Sequence, residues 1–222
     1  DVEGAGFTCL QCSEGNVAVG FSGIRNYDGP QFTSGFSFNI PTQESADVFE
    51  VGDKRKDVAI LDINAWALAN TNYDNGNGIK FGKGNEDTGF FNRKYLPRKR
   101  SSNAQGDLNL TNPNNYKAIR YADVLLMAAE AYNRGGIDDG KARGYLNQVR
   151  RRAFGDNNHD ISASGAALTD FILAERRLEL FGEGHRFFDL VRTGKAVGTI
   201  PGFKANKNEL FPLPIEEIQF AN

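Results

Sequence analysis

Apolar positions in the second half of the chain recur at the three- and four-residue spacing of helices that bury one face. From Ala118 to Arg134, the residues Ile119, Ala122, Leu125, Leu126, Ala129 and Tyr132 share a side. Val124, Met127 and Ala128 add apolar residues elsewhere, so the pattern predicts a helix buried on most sides. Gly135-Gly136 ends it. Asp138 or Asp139 caps a second helix that runs to about Ala153, with Ala142, Leu146 and Val149 inward. A third helix is predicted from near Thr169, where Leu168 and Leu173 have staple spacing, through Glu175-Arg176-Arg177-Leu178-Glu179-Leu180-Phe181 until Gly182 and Gly184 break it. A fourth, short helix spans Arg186 to about Arg192. The first two helices take about 35 residues and carry small residues at Ala128, Ala129 and Ala131, which matches a tetratricopeptide-like hairpin whose faces must stack on neighbours.

The first half is punctuated rather than periodic. Residues 1–115 hold 14 Gly, 15 Asn and 13 scattered aromatics, a texture of long loops, short strands and turns. Pro41 to Gly52 reads as a short helix, with Thr42 as its cap and Gly52 as its left-handed stop. Ala65 to Ala69 is a second short helix or turn, and Asn70 to Gly78 is a strong turn signal. Ile79-Lys80-Phe81 and Phe90 to Tyr95 are predicted to pair as a hairpin across Gly82–Gly89. The expected fold is therefore mainly α: a tetratricopeptide-like helical hairpin plus packed helices, with long irregular loops and a small β-hairpin. Residues 1–222 are expected to form a single domain, loop-rich over 1–115 and helical over 116–222.

Composition narrows the class. Hydrophobic residues make up 40% and charged residues 24% of 222, which suits a folded core and excludes disorder as the main description. A formal net charge of −2 argues against a dedicated nucleic-acid binder. No apolar run is long enough to span a membrane as a helix. The chain opens with Asp1 and its only Met is Met127, so an upstream segment is expected to have been removed, with any targeting signal. Cys9 and Cys12 form a C-x-x-C that fits a redox site, half a zinc site or a local disulfide. The glycines around it argue against a thioredoxin-type strand and helix, and only His159 and His185 remain to complete a zinc site; a structural loop is the expectation.

Several motifs carry a resemblance. Arg120-Tyr121-Ala122-Asp123-Val124-Leu125-Leu126-Met127-Ala128-Ala129-Glu130-Ala131 resembles the central helix of the SusD/RagB family of outer-membrane nutrient-binding lipoproteins. In the family's order follow Leu146-Asn147-Gln148-Val149-Arg150 with Arg152-Ala153, then Glu175-Arg176-Arg177-Leu178-Glu179-Leu180. Gly184 to Arg192, Phe211-Pro212-Leu213-Pro214 and Glu217-Ile218 complete the series. Upstream, Pro41-Thr42-Gln43-Glu44, Phe49-Glu50, Gly52-Asp53-Lys54-Arg55 and Arg93-Lys94-Tyr95 resemble further family segments, so the likeness covers about residues 36–220. Family members are about twice as long, and this chain looks like the C-terminal half of one. The resemblance implies non-enzymatic glycan binding on the extracellular face of a bacterial outer membrane. It further implies delivery to a TonB-dependent SusC-like transporter and a lipid anchor on the missing N-terminal part. Neither cysteine follows an apolar h-region, so neither is the lipid-bearing residue. RagB-like binding of peptides or glycoproteins, or a tetratricopeptide-like scaffold without a small ligand, are the alternatives.

Candidate chemistry follows the same line. Glu175, Arg176, Arg177 and Glu179 with His185, Arg186, Asp189 and Arg192 mimic an acid-base site, but read better as a partly buried ion-pair network locking two helices. Arg93, Lys94, Arg98, Lys99 and Arg100 place five positive charges in eight residues, a possible phosphate patch that reads better as a solvated strand and loop. Asn70 to Asp74 and Asn85-Glu86-Asp87 offer calcium-type oxygens without the EF-hand order, and turn chemistry explains them equally. No catalytic residue, metal or cofactor is expected. The ligand-binding candidates are Trp66, Asn72, Tyr73, Asp74 and Arg93: rings for the C–H faces of a sugar, amide, carboxylate and guanidinium for its hydroxyls. The competing reading makes Trp66 and Phe81 core residues under a long loop.

Overall fold

A computed structural model of the chain describes residues 18–84, 86–101 and 111–220. Cys9, Cys12 and Asn85 lie outside the described residues. In chain order the elements are α1 (Ala18–Phe21), α2 (Gln43–Asp47), α3 (Arg55–Ala59), β1 (Ile60–Asp62), α4 (Ile63–Ala69) and α5 (Tyr73–Gly76). Then come β2 (Phe90–Asn92), a 3-10 turn (Arg93–Tyr95), α6 (Tyr121–Arg134), α7 (Asp139–Phe154), α8 (Gly165–Glu179), α9 (Arg186–Arg192) and α10 (Ile215–Phe220). Packing divides the chain into a first unit ending at Glu183 and a second beginning at Gly184. The change of composition near residue 115 is not a packing boundary, because loop-rich and helical parts share the first unit.

Helices α6 and α7 form the expected hairpin, and α8 packs on both. Asp138 caps α7 by accepting a hydrogen bond from Lys141 N at 2.9 Å, and Gly155 closes it in the left-handed region. Leu125, Leu126 and Ala129 meet Ala142, Leu146 and Val149, and Leu168 and Ile172 of α8 complete the core. Two expectations need correction. Helix α6 is buried on one side only: Tyr121, Val124 and Met127 face solvent, at 72%, 44% and 44% exposure, because α7 and α8 cover the opposite face. Helix α8 begins at Gly165, four residues before Thr169. Its start is capped from another helix pair: Asp139 Oδ2 accepts the Gly165 N–H at 2.7 Å, and Asn133 Nδ2 donates to the Gly165 carbonyl at 3.0 Å. Gly165 holds a φ of +58°, which a side chain would strain.

The loop-rich part has its own core of Ile24, Tyr27, Phe32, Leu61, Ile63, Phe91 and Leu96, flanked by Ile40, Trp66, Ile79 and Phe81. A small antiparallel sheet exists, but its pairing differs from the expected hairpin. Strand β2 pairs with β1, Leu61 opposite Phe91, whereas Lys80 bridges Asp28 through two 2.8 Å backbone bonds. The apolar side chains of β1 bury on both sides of this pairing, and the 79–81 segment finds a closer edge on residues 25–28. Helix α2 is as capped as expected, Thr42 Oγ1 accepting from Ser45 N, but ends at Asp47. Gly35 packs so closely that an added Cβ would lie 2.4 Å from Gly23 Cα, so no larger residue fits this crossing of backbones.

A third cluster and an ionic network fasten the loop-rich part to the bundle. Ala46, Phe49, Ala59 and Ile60 pack on Leu178 of α8. Beside them, Arg55 forks onto Asp53 at 2.6 Å and reaches Glu175 at 2.6 Å and Glu179 at 3.2 Å. Glu175 also takes Arg150 at 2.8 Å, and Arg150 reaches Glu50 at 2.9 Å. Arg120, from the residue before α6, binds Glu179 and lies 2.8 Å from Glu183, which Lys94 contacts at 2.6 Å; Arg152 binds Glu179 as well. Arg176 pairs with Asp123 at 2.7 Å. The motif around Glu175 is thus structural, but its partners in the first unit are residues the sequence reading did not connect with it. In the second unit, Arg192 pairs with Asp189 at 2.7 Å across one turn of α9.

Candidate functional site

Helix α4 aims Trp66. Asp62 caps the helix by accepting from Asn64 N and Ala65 N, and Ile63 anchors its first turn in the loop-rich core. Three residues on, Trp66 lies over the same core, half-buried, with its ring centroid 5.9 Å from that of Phe32. Its indole Nε1–H donates to Tyr27 Oη at 2.9 Å, and Tyr27 Oη donates to the Pro30 carbonyl at 2.9 Å. Burial pushes the Tyr27 phenol up, the bond from Trp66 opposing it in part, so the hydroxyl keeps its proton and serves both partners. The Arg93 guanidinium lies 5.6 Å from the Trp66 ring centroid and donates to the Asp57 carbonyl at 2.8 Å. Trp66 therefore belongs to the core at one edge and to the surface at the other.

The turn that follows presents the remaining candidates. Asp74 and Asn75 adopt left-handed backbone, φ 49° and 56°, and the Gly78 N–H closes the turn onto the Tyr73 carbonyl at 2.9 Å. Tyr73 Oη donates to Asp28 Oδ1 at 2.9 Å, while the Lys99 ammonium lies 5.6 Å from the Tyr73 ring centroid. Asp74 faces Lys80 at 3.8 Å and accepts from Asn77 Nδ2 at 3.2 Å. Asn72 precedes α5 and is exposed, its side chain making no cap bond. The structure brings Trp66 and Arg93 together directly. It links Trp66 to Tyr73 through Tyr27 and Asp28, neighbours in the chain that the sequence reading left out.

Phe32 also escaped it, and Arg98 and Lys99 were visible only as part of a solvated charge run. Arg98 stands 5.9 Å from the centroid of the Phe32 ring, and the Lys99 N–H pairs with the Gln31 carbonyl at 2.9 Å, which seats the basic segment beside the aromatic one. The charge run over 93–100 was the available signal, but nothing in sequence couples it to residues 27–32. Lys94 leaves this face for the ionic network, where burial drives its ammonium down despite the bond to Glu183. Among the described residues no three His, Cys, Asp or Glu side chains converge as a metal would require. His159 stacks flat on Phe154 at 3.7 Å, and His185 precedes α9.

Comparison with known proteins gives one consistent answer. The model of the SusD family matches residues 38–211. SusD-like protein P2 from Formosa agariphila is 28% identical over 212 residues, covering 89% of this chain and 41% of its own length. Surface glycan-binding protein A from Bacteroides thetaiotaomicron superposes with a TM-score of 0.77 at 29% identity, over 91% of this chain and 44% of that one. The same protein in complex with laminarihexaose gives a TM-score of 0.73 at 28% identity, over 91% of this chain and 44% of that one. The chain thus spans less than half the length of these relatives.

Proposed function

The chain belongs to the SusD family, and on that premise we propose that it is a non-enzymatic glycan-binding protein of a bacterial outer-membrane surface. It captures oligosaccharide and passes it to a TonB-dependent, SusC-like transporter, held to the membrane by a lipid anchor outside this sequence. One observation carries the reading: a similar protein, alike over 91% of this chain, has been solved with laminarihexaose bound. The candidate residues Trp66, Asn72, Tyr73, Asp74 and Arg93 support it, because they offer half-buried rings together with amide, carboxylate and guanidinium groups. No helix of the described residues is long and apolar enough to cross a membrane.

Affinity electrophoresis of the full-length protein through gels containing different glycans tests the proposal. Retardation by at least one glycan is expected, reduced in Trp66→Ala and in Asn72→Ala. The second substitution guards against misreading, because Asn72 is exposed and its loss leaves the core intact. Migration unaffected by every glycan would contradict the reading.

A further inference from the structure

We propose that the ligand of this face is an acidic glycan, one carrying carboxylate or sulfate groups; this rests on the glycan-binding reading above. Three cations of the 93–100 run are laid on three aromatic rings in succession. Arg93 covers Trp66, Arg98 covers Phe32 and Lys99 covers Tyr73, at 5.6, 5.9 and 5.6 Å from the ring centroids. Trp66 packs on Phe32 and bonds Tyr27, and Tyr73 is tied to the same segment through Asp28. A row of positive groups therefore lines a face on which Trp66 and Tyr73 are partly exposed, with Phe32 buried beneath Arg98.

Seven other arginines of the first unit are handled differently, although Arg25 and Arg143 bond backbone or hydroxyl oxygens instead. Arg55, Arg120, Arg134, Arg150, Arg151, Arg152 and Arg176 are each paired with a carboxylate. Among the described residues, Arg93, Arg98 and Lys99 contact no carboxylate within ion-pair distance, and Arg98 and Lys99 are exposed. The two acids on this face are engaged, Asp28 with the Tyr73 hydroxyl and Asp74 with Lys80 and Asn77. Four cations, Lys80 included, thus stand against two carboxylates on a chain whose formal net charge is −2.

The arrangement disfavours a neutral ligand. A sugar ring that stacks on Trp66 must share or displace the guanidinium already over that face. An anionic substituent instead meets the guanidinium and ammonium as charge-assisted hydrogen-bond donors, while the rings beside them take the sugar's C–H edge. Aromatic surface selects for a sugar, and the cations over it select for its acidic group.

Isothermal titration of the full-length protein with three probes tests this: an oligogalacturonate for carboxylate, a carrageenan oligosaccharide for sulfate, and laminarihexaose as the neutral comparison. One acidic probe is expected to bind at least about tenfold tighter than laminarihexaose at about 50 mM salt. That advantage is expected to shrink severalfold at about 300 mM salt, and in the exposed double variant Arg98→Gln/Lys99→Gln. Laminarihexaose binding as tightly as both acidic probes would overturn the acidic preference and leave glycan binding standing. An oligothymidylate matching the acidic probes would overturn it too, by showing that charge alone is read. Failure of both acidic probes to bind would overturn the acidic preference, while the affinity gels decide glycan binding separately.

Discussion

The two cores of the first unit are built from different materials. In the bundle, every buried residue of the cluster comes from α6, α7 or α8. In the loop-rich core, Ile24, Tyr27, Phe32 and Leu96 come from irregular backbone, and Leu61, Ile63 and Phe91 from elements only a few residues long. Helices satisfy their backbone groups within themselves, so the bundle needs only complementary faces. The loops must satisfy theirs at long range, through Asp28 with Lys80, Thr33 with Pro97, Gly35 with Ile24 and Lys99 with Gln31. That difference explains where binding groups accumulate. A loop held by its backbone leaves its side chains available, and the bundle supplies the rigidity that such loops lack. The ionic network and the cluster on Leu178 are the joint between the two.

Removing the joint is expected to have the largest effect. Glu179→Ala removes a carboxylate that Arg55, Arg120 and Arg152 share; Arg55 keeps Asp53 and Glu175 and Arg120 keeps Glu183, so the cost should be about 3 kcal/mol, read from urea unfolding. A cost below about 1 kcal/mol would mean that the two cores hold together without the network. Acid probes the same joint more gently. Burial alone would raise the Glu179 carboxyl, but the hydrogen bond from Arg120 and the charge of Arg152 outweigh it and hold it at about 2. Glu183 is lowered in the same sense: its bonds from Arg120 and Lys94 overcome burial. A carboxyl depressed in the folded state stabilises fully above its unfolded value and loses that contribution as pH falls through the folded one. Stability should therefore fall by about 3 kcal/mol between pH 4.5 and about 2 through Glu179, and this loss should be absent from Glu179→Gln. At the small end, Asp138→Ala removes the α7 cap and should cost about 1 kcal/mol, affecting the bundle without altering glycan affinity.

The same contrast governs what could be read from sequence. Helices α7 and α9 were legible to within a residue, because their caps and breakers lie beside them: Asp138, Gly155, Gly184. The start of α8 was not, because Asp139 and Asn133 of the preceding hairpin cap it. Strand β1 is three residues long and carries no period, so the strand at 90–92 was matched to the wrong partner. Glu175 and Glu179 stood out as a motif, yet Arg55 is 120 and 124 residues away from them. At the candidate site, Trp66, Tyr73 and Arg93 were visible as residue types suited to a sugar. Tyr27 and Asp28, which join them, look like any turn residues until the bridge to Lys80 brings them across.

The central claim is that the bundle is the scaffold and the loop-rich face reads the ligand. Hydrogen exchange on the full-length protein, free and saturated with a glycan that it demonstrably binds, tests this most directly. The account predicts slow exchange over α6, α7 and α8 in both states, faster exchange over residues 63–80 in the free protein, and ligand-induced slowing over 63–80 and 93–99. Slowing confined to other segments, with residues 63–80 and 93–99 unchanged, would contradict it.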